Sequence, residues 1–181
     1  MKLTFLGTGT SFGVPVIGCD CAACTSRDPR DRRTRHGALL EVEEGSLLVD
    51  TPPELRLQLI AAGVTRVDAV WFTHAHADHL HGIDDIRVFT VRRGDMPAYV
   101  PSEYRPILER HLEYIFDDSF QPPEGSSKPR VRLTDFDVGE PVRILGRDFH
   151  PVRVPHGACS VYGFRVGGLG YVTDAKRLPP D

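Results

Sequence analysis

The alternation of apolar and polar residues predicts a chain that begins with short strands. Residues 2–6 alternate in this way and end in a Gly-Thr-Gly-Thr segment. Two apolar-rich runs, 37–43 and 46–50, flank a Glu-Gly pair and predict a β-hairpin that ends at Asp50. The run 67–72 is apolar almost throughout, which is typical of a buried strand. A Thr-His pair follows directly at its carboxyl end.

Helices follow in the middle of the chain, and strands return after them. A proline opens the first predicted helix and a glycine ends it, which is the usual placement of these two residues. The run 121–128, rich in proline, glycine and serine, is predicted to be a loop or lid. The predicted helices cover 53–63, 78–91 and 102–115, and the later strands cover 97–100, 131–135, 141–145, 148–154, 161–166 and 169–173. This order predicts the α/β (α+β) class, with helix-covered sheets in a single domain over residues 1–181.

Composition and charge restrict the class of protein. The 181 residues are 40% hydrophobic and 26% charged, which suits a packed core and excludes a disordered chain. The formal net charge is −3, so there is no global basic field for nucleic acid, and local residues have to hold any phosphate. The N-terminus lacks the apolar stretch of a signal peptide, and no window approaches the ~20 apolar residues of a membrane span. We therefore expect a cytoplasmic protein without a membrane partner.

Three of the four cysteines form a C-x-C-x-x-C loop. Cys19 and Cys21 are awkwardly close for a mutual disulfide, and a reducing cytosol disfavours one. Together with Cys24 they offer three thiolates to one soft cation such as Zn²⁺, which prefers four ligands; the alternative is three free thiols in a loop. Cys159 stands alone and is predicted to be a small buried residue.

Five arginines follow the cysteine loop within nine residues. Their planar side chains suit phosphate, so they are either a phosphate-holding group or a solvated loop braced by its own aspartates. These residues are Arg27, Arg30, Arg32, Arg33 and Arg35.

The sharpest chemical feature is a cluster of three histidines and an aspartate directly after the apolar strand. His74 and His76 occupy alternate positions of an extended segment, so both side chains can chelate one ion. Asp78 and His79 lie at the start of the next helix and are better placed for a second ion. Imidazole and carboxylate ligands are those of Zn²⁺ or Mn²⁺ hydrolytic centres, in which the metals activate a bridging water.

Two later residues also follow predicted strands. His156 lies in a Pro-His-Gly turn after one strand, and Asp174 comes after the last strand. A carboxylate at this second position can bridge two cations through its two oxygens. Each signal is weak alone, and the histidine cluster makes both stronger.

Taken together, these motifs resemble the metallo-β-lactamase-fold hydrolases, whose signature is H-x-H-x-D-H. The G-T-G-T segment and the G-C-x-C-x-x-C loop narrow the resemblance to the PhnP-like phosphodiesterases and, less closely, to PqqB-type proteins. The resemblance implies an αββα sandwich with a dinuclear site at one edge of its sheets. It places one metal on His74, His76 and His156, a second on Asp78 and His79, and Asp174 between the two. It also implies a structural zinc on the three loop cysteines, and an acceptor role for Asp50 in orienting a ligand histidine.

The chain departs from the family pattern after Asp174. Relatives carry a further metal-binding histidine, the fourth ligand of the cysteine zinc and a catalytic histidine in that late region. We therefore expect a fragment that lacks a C-terminal strand and helix portion, or a substitute from within the chain or a partner. The internal candidates are His36, His81, His111 and His150.

The resulting hypothesis is a phosphodiesterase that acts on small cyclic or nucleotide-derived phosphodiesters through water activated by two Zn²⁺ or Mn²⁺ ions. Asp78, His79 and Asp174 are the expected catalytic residues. A nuclease that processes tRNA 3′ ends, or an ester, lactone or thioester hydrolase of the same fold, is the enzymatic alternative. A catalytically silent metal-binding domain is the alternative from another class. The expected partner is the small phosphodiester, with a homodimer left open and nucleic acid disfavoured by the acidic balance.

Overall fold

Two β-sheets form the frame of the protein in the computed structural model, which describes residues 1–178. The strands are β1 Lys2–Gly7, β2 Gly37–Val42, β3 Gly45–Val49, β4 Ala69–Trp71, β5 Met96–Pro101, β6 Val131–Phe136, β7 Val142–Ile144, β8 Arg147–His156, β9 Cys159–Val166 and β10 Leu169–Tyr171. The α-helices are α1 Leu55–Ala61, α2 Ala77–Leu80, α3 Arg87–Arg93, α4 Arg105–His111 and α5 Glu113–Phe116, and 3-10 turns cover Pro29–Asp31, Ile83–Ile86 and Ser102–Tyr104. One sheet has the order β1-β2-β3-β4-β5-β6 and the other the order β10-β9-β8-β7.

The larger sheet is parallel from β3 to β6, and each parallel pair is joined through helical segments. Crossovers between parallel strands are right-handed, so strands added in one direction place all their helices on the same face. The opposite face is left to the four-stranded sheet, which gives a helix–sheet–sheet arrangement. Within residues 1–178 no α-helix follows Phe116, so a helical layer over the smaller sheet is not among the described elements.

Trp71 joins the two sheets beside the strand ends where the histidines follow. Its side chain is fully buried, and its ring centroid lies 4.0 Å from that of Phe136 and 5.3 Å from that of Phe164. The indole Nε1 donates a 2.8 Å hydrogen bond to the backbone oxygen of Tyr162. Because Tyr162 belongs to β9, this bond fixes the smaller sheet against the end of β4.

The predicted hairpin is confirmed, with Ala38 opposite Val49 and Val42 opposite Gly45. The predicted helix over 78–91 is wrong as one element, because it consists of α2, a 3-10 turn and α3. The break occurs at Gly82, whose N–H donates to the Thr51 oxygen and where a Cβ would lie 1.9 Å from the Pro52 oxygen.

The remaining boundaries differ by smaller amounts. The predicted helix over 102–115 is interrupted at Leu112, which has φ −122° and ψ 36°. The helix expected to begin at Pro53 begins at Leu55, and the strand expected to end at residue 154 continues to His156. The run 121–128 contains neither helix nor strand, as predicted. In the described part of the chain, no helix is long and apolar enough to cross a membrane.

Candidate metal centre

The histidines and aspartates of the sequence motif gather at one edge of the sheets. Asp50 directly follows β3, and His74 follows β4 by three residues. Since these strands are parallel, their carboxyl ends meet at the same edge, where open sheets usually bind ligands. The backbone N–H of Asp50 donates to the Trp71 oxygen, and Tyr162 in β9 donates to the Thr73 oxygen. These backbone bonds hold the loops of both sheets together at the site.

Two groups of metal-ligand type share His74. One group contains His74, His76 and His156, and the other contains His74, His79 and Asp174. Within each group one ligand atom of every residue lies within 4.8 Å of the others. Nε2 of His74 and Nδ1 of His76 are 2.9 Å apart.

Three of these imidazoles are oriented by the same device. Their Nδ1 atoms lie near oxygens that the predicted ligand sets do not use: His74 near Thr73 Oγ1 at 3.0 Å, His79 near Asp50 Oδ2 at 2.6 Å, and His156 near the Asp174 backbone oxygen at 2.9 Å. A proton on Nδ1 serves each of these contacts, so Nε2 is the atom left to bind a metal.

The Nε2 atoms face one carboxylate oxygen, Oδ2 of Asp174. This oxygen lies 3.2 Å from Nε2 of His79, 3.7 Å from that of His74 and 4.0 Å from that of His156. Oδ2 of Asp78 is 3.5 Å from His79 Nε2, although Asp78 belongs to neither ligand group among residues 1–178. The predicted cluster residues are therefore close together, and Asp174 approaches histidines of both groups.

Asp50 is fully buried behind the site and is surrounded by donors. Its Oδ1 accepts from the Thr73 N–H at 2.8 Å, and its Oδ2 accepts from Thr73 Oγ1 at 2.8 Å and from His79 Nδ1 at 2.6 Å. Burial opposes ionisation of the carboxyl, but the charge of His79 and the hydrogen bonds outweigh it and hold the pKa of Asp50 well below its usual range. A carboxylate at this position keeps the His79 ring in one orientation.

The same charges shift the pKa values of the ligand groups. Burial lowers the pKa of His74 to about 4, which favours its neutral, ligating form. Burial also opposes protonation of His79, but the Asp50 charge and carboxylate hydrogen bonds raise the pKa of His79 to about 12. The hydrogen bond with His79 lowers the pKa of Asp78 and, still further, that of Asp174. Both carboxylates are thus ionised and suited to cations.

The surroundings of one buried atom provide a test of whether a metal fits here. Nε2 of His79 is fully buried, makes no well-formed hydrogen bond within residues 1–178, and faces the Oδ2 atoms of Asp174 at 3.2 Å and Asp78 at 3.5 Å. A buried nitrogen between two carboxylates is satisfied by a shared cation, and a divalent ion can take that place. The imidazole and carboxylate donors are also the type that Zn²⁺ and Mn²⁺ accept. The residues present therefore fit a metal centre.

The cysteine loop forms a separate group on the surface. Cys19, Cys21 and Cys24 bring their sulfur atoms within 4.8 Å of one another, and all three thiols are free. Cys24 Sγ accepts from the backbone N–H of Val16 at 3.3 Å. Hydrogen bonding, chiefly from the Cys24 backbone, lowers the pKa of Cys21 to about 7. A readily formed thiolate suits the predicted soft cation.

The expectation that Cys159 is a buried residue is wrong. The residue opens β9, is half-buried, and has its sulfur 3.8 Å from His76 Nε2 and 3.1 Å from the His156 oxygen. The reason is topological, because β8 and β9 form a tight hairpin that pairs His156 with Cys159. Cys159 therefore lines the cleft in front of the histidines.

Sequence reasoning named His36 only as a candidate substitute ligand, and it missed Tyr171. Nδ1 of His36 is 3.3 Å from Asp50 Oδ2, and Nε2 of His36 is hydrogen-bonded to the Tyr171 hydroxyl. The hairpin pattern contained a usable signal for the position of His36, because the pairing of Ala38 with Val49 brings the residues before β2 close to those after β3. Of the other candidate histidines, His81 and His111 are exposed, and none of His81, His111 and His150 joins a ligand group among residues 1–178.

The arginine-rich segment matches the predicted self-braced loop at one position, and the contacts of two other arginines match neither interpretation. Arg30 pairs with Asp28 at 2.6 Å, as expected of a self-braced loop. Arg33 instead donates to Thr8 Oγ1 at 3.0 Å, and Arg35 donates to the Ser11 oxygen at 2.8 Å. These two arginines tie the loop to the segment after β1.

Comparison with known proteins places this centre in a family. A family model described as Beta-lactamase superfamily domain matches residues 46–181. The chain belongs to this superfamily. The chain is also 37% identical to a crystal structure of a new diphosphatase from the PhnP family, with a TM-score of 0.86 over 98% of this chain and 66% of that one.

Two further relatives of this superfamily member are a curated protein and a solved structure. An octanoyltransferase from Porphyromonas gingivalis (strain ATCC BAA-308 / W83) is 33% identical over 179 residues, which are 98% of this chain and 35% of that protein. The Zn²⁺-bound PqqB from Methylobacterium extorquens is 18% identical with a TM-score of 0.76, over 99% of this chain and 67% of that one. The chain thus spans about a third of the curated relative and about two thirds of the PhnP-family structure.

These findings confirm the predicted metallo-β-lactamase fold and its PhnP-like character. The similarity to PqqB shows the shared fold alone.

Proposed function

We propose that the chain hydrolyses phosphodiester bonds in small cyclic or nucleotide-derived substrates, with two divalent metal ions. One observation carries the proposal: three imidazole Nε2 atoms lie within 4.0 Å of a single side-chain oxygen of Asp174, and the Nδ1 atom of each ring contacts an oxygen that is not a proposed ligand. His74, His76 and His156 would hold one ion, and Asp78 and His79 the other, with Asp174 shared. Bound there, the ions would acidify water and offset charge on phosphoryl oxygens.

The chain's own residues position the reacting groups. Asp50 orients His79, and Thr73 and the Asp174 backbone orient His74 and His156. The ionised carboxylates Asp78 and Asp174 also provide negative charge that keeps two cations close together.

The cleft in front of the histidines favours an anionic substrate. It has a volume of about 770 Å³, and its lining includes His76, His156 and Cys159 as well as two cations, Lys176 and Arg177. Among residues 1–178, no aspartate or glutamate lines this cleft. The positive lining supports a phosphodiester over a neutral ester, and the similarity to a PhnP-family diphosphatase supports a phosphorus centre.

A substrate panel tests the reaction class. Bis(p-nitrophenyl) phosphate and a 2′,3′-cyclic nucleotide should be hydrolysed with Zn²⁺ or Mn²⁺ faster than p-nitrophenyl octanoate and an octanoyl thioester. The acyl substrates are included because the curated relative is named an octanoyltransferase. Faster turnover of an acyl substrate would assign the site to acyl chemistry instead. A pre-tRNA substrate tests the nuclease alternative in the same way.

Matched variants test the site. His76→Ala and Asp174→Ala should each lower kcat by more than about 100-fold, since even residues behind metal ligands cost about 10–100-fold. His111→Ala is the control, because His111 is exposed at the end of α4. Full activity of both site variants would refute the assignment. One bound ion without turnover in the unaltered chain would support the silent metal-binding domain.

We also propose that the loop cysteines hold a separate structural zinc ion. The support is the mutual approach of the three thiols and the lowered pKa of Cys21. The fourth ligand that Zn²⁺ prefers is not part of this proposal.

A further inference from the structure

A buried pair, His36 and Tyr171, lies behind Asp50 and outside the proposed ligand sets. We propose that His36, oriented by Tyr171, is a positioning residue that fixes the Asp50 carboxylate and the His79 ring for metal binding. The inference rests on the proposed function, in which His79 and Asp174 contribute to one ion.

The contacts of His36 lead directly to His79. The His36 side chain is 12% exposed, and its Nδ1 lies 3.3 Å from Oδ2 of Asp50. That same oxygen is 2.6 Å from His79 Nδ1. The two imidazole rings also stack, with centroids 5.1 Å apart and an interplanar angle of 23°. His36 therefore restrains His79 both through the shared carboxylate and by direct ring contact.

The protonation of His36 follows from its two neighbours. Nδ1 of His36 is buried, and its 3.3 Å contact with Asp50 Oδ2 is looser than a well-formed hydrogen bond. Because the ionised carboxylate offers only lone pairs, this contact favours a proton on Nδ1. In the neutral ring, Nε2 then accepts a hydrogen bond from the Tyr171 hydroxyl. The pair thus selects one tautomer of His36.

Tyr171 is itself held in place. Its ring is buried, stacks on Phe164 with centroids 5.4 Å apart, and lies against Phe5 at 6.5 Å. Burial and nearby carboxylates raise the pKa of Tyr171, so the hydroxyl stays protonated and able to donate. Because Tyr171 ends β10, this contact also connects the smaller sheet to the start of β2.

The nearest competing role for His36 is metal ligation. One ligand atom each of His36, Asp50 and His79 lie within 4.8 Å of one another. The short contact between His79 Nδ1 and Asp50 favours a hydrogen bond there, which leaves His79 Nε2 for the metal. An ion among these three residues is therefore the alternative outcome.

The first test uses nitrogen-15 NMR of the histidine rings in the metal-free protein. The wild-type spectrum should show His36 with a protonated Nδ1 and an unprotonated Nε2. Tyr171→Phe removes only the hydroxyl and should shift the His36 Nε2 resonance and broaden the His79 resonances. An unchanged spectrum in Tyr171→Phe, or a wild-type His36 protonated only on Nε2, would overturn the inference.

The second test measures metal affinity by competition with a chromophoric chelator. His36→Phe keeps a stacking ring but loses Nδ1. It should weaken one of the two Zn²⁺ equivalents of the histidine centre by about 10–100-fold, while leaving the other equivalent and the zinc of the cysteine loop unchanged. Co²⁺ absorption should change for the same equivalent. His111→Phe is the matched control at an exposed position.

The outcomes separate this inference from the proposed function. Wild-type affinity in both His36→Phe and Tyr171→Phe, with hydrolysis intact, would refute only the positioning role. A wild-type chain that binds no Zn²⁺ beyond the ion of the cysteine loop would refute the proposed function, and the NMR comparison would still decide whether Tyr171 and Asp50 orient His36. If the wild type binds one Zn²⁺ more than the two ions of the centre and the ion of the cysteine loop, and His36→Phe loses that additional ion, His36 is a ligand. If His36→Phe does not fold, Tyr171→Phe decides alone.

Discussion

The substitution Asp50→Asn tests the buried carboxylate on which the orientation of His79 depends. Asp50 is fully buried and accepts three hydrogen bonds of 2.6–2.8 Å through two oxygens. Its backbone has φ 60°, a left-handed conformation that asparagine also tolerates, so the substitution leaves the loop unstrained. The substitution therefore removes only the negative charge and one acceptor oxygen of Asp50.

The expected loss of unfolding free energy in Asp50→Asn follows from the three donors that surround the carboxylate. All three partners donate, and an asparagine amide has only one oxygen, so in either orientation its NH₂ group faces at least one donor. Breaking a buried ion pair by removing one partner costs about 3–5 kcal/mol. We expect the metal-free Asp50→Asn chain to lose about 3 kcal/mol in free energy of unfolding, at the lower end of that range because asparagine retains one acceptor.

Urea denaturation in the presence of a chelator measures this difference. Asp148→Asn is the control, since Asp148 pairs with Arg143 at 2.8 Å through a side chain that is 54% exposed. Exposed pairs contribute little, and the control should change stability by less than about 1 kcal/mol. An Asp50→Asn loss no larger than that of the control would refute the reasoning.

Four further measurements test other features. Gly82→Ala should destabilise the chain by more than about 3 kcal/mol, because its Cβ would lie 1.9 Å from a backbone oxygen, whereas Gly168→Ala has no atom within 4 Å and should unfold like the wild type. Trp71→Phe removes a 2.8 Å hydrogen bond between the sheets and should cost about 1–3 kcal/mol by thermal denaturation. Cys24→Ser should lower the bound zinc measured by atomic absorption by about one ion without abolishing turnover, and equal zinc would contradict the structural site. The pKa of His79, raised to about 12, contributes stability that is present below its unfolded value of about 6.5 and is lost as pH rises, so the metal-free chain should unfold more easily at about pH 9 than at about pH 7.

The sequence by itself determined the parts of the site that depend on local spacing. His74 and His76 alternate on an extended segment, and the apolar run before them predicts the strand end that carries them. The same holds for the three cysteines, whose separation of a few residues brings their sulfurs together within one loop. The relative positions of residues a few places apart are fixed by bond lengths and by the side-chain period of the strand or loop. Such groups can therefore be recognised from the sequence before the fold is known.

The tertiary structure decided the contacts between residues far apart in the chain. His36 approaches Asp50 and Tyr171 only because β2 pairs with β3 and β10 lies at the edge of the second sheet. The break at Gly82 likewise depends on the approach of the Pro52 backbone, and the position of Cys159 beside His76 and His156 depends on the β8–β9 hairpin. The helical periodicity of a sequence indicates which face of a segment is apolar. It does not indicate which backbone atoms of other segments contact that face. The sequence therefore determined the ligands of the proposed centre, and packing decided what holds them in place.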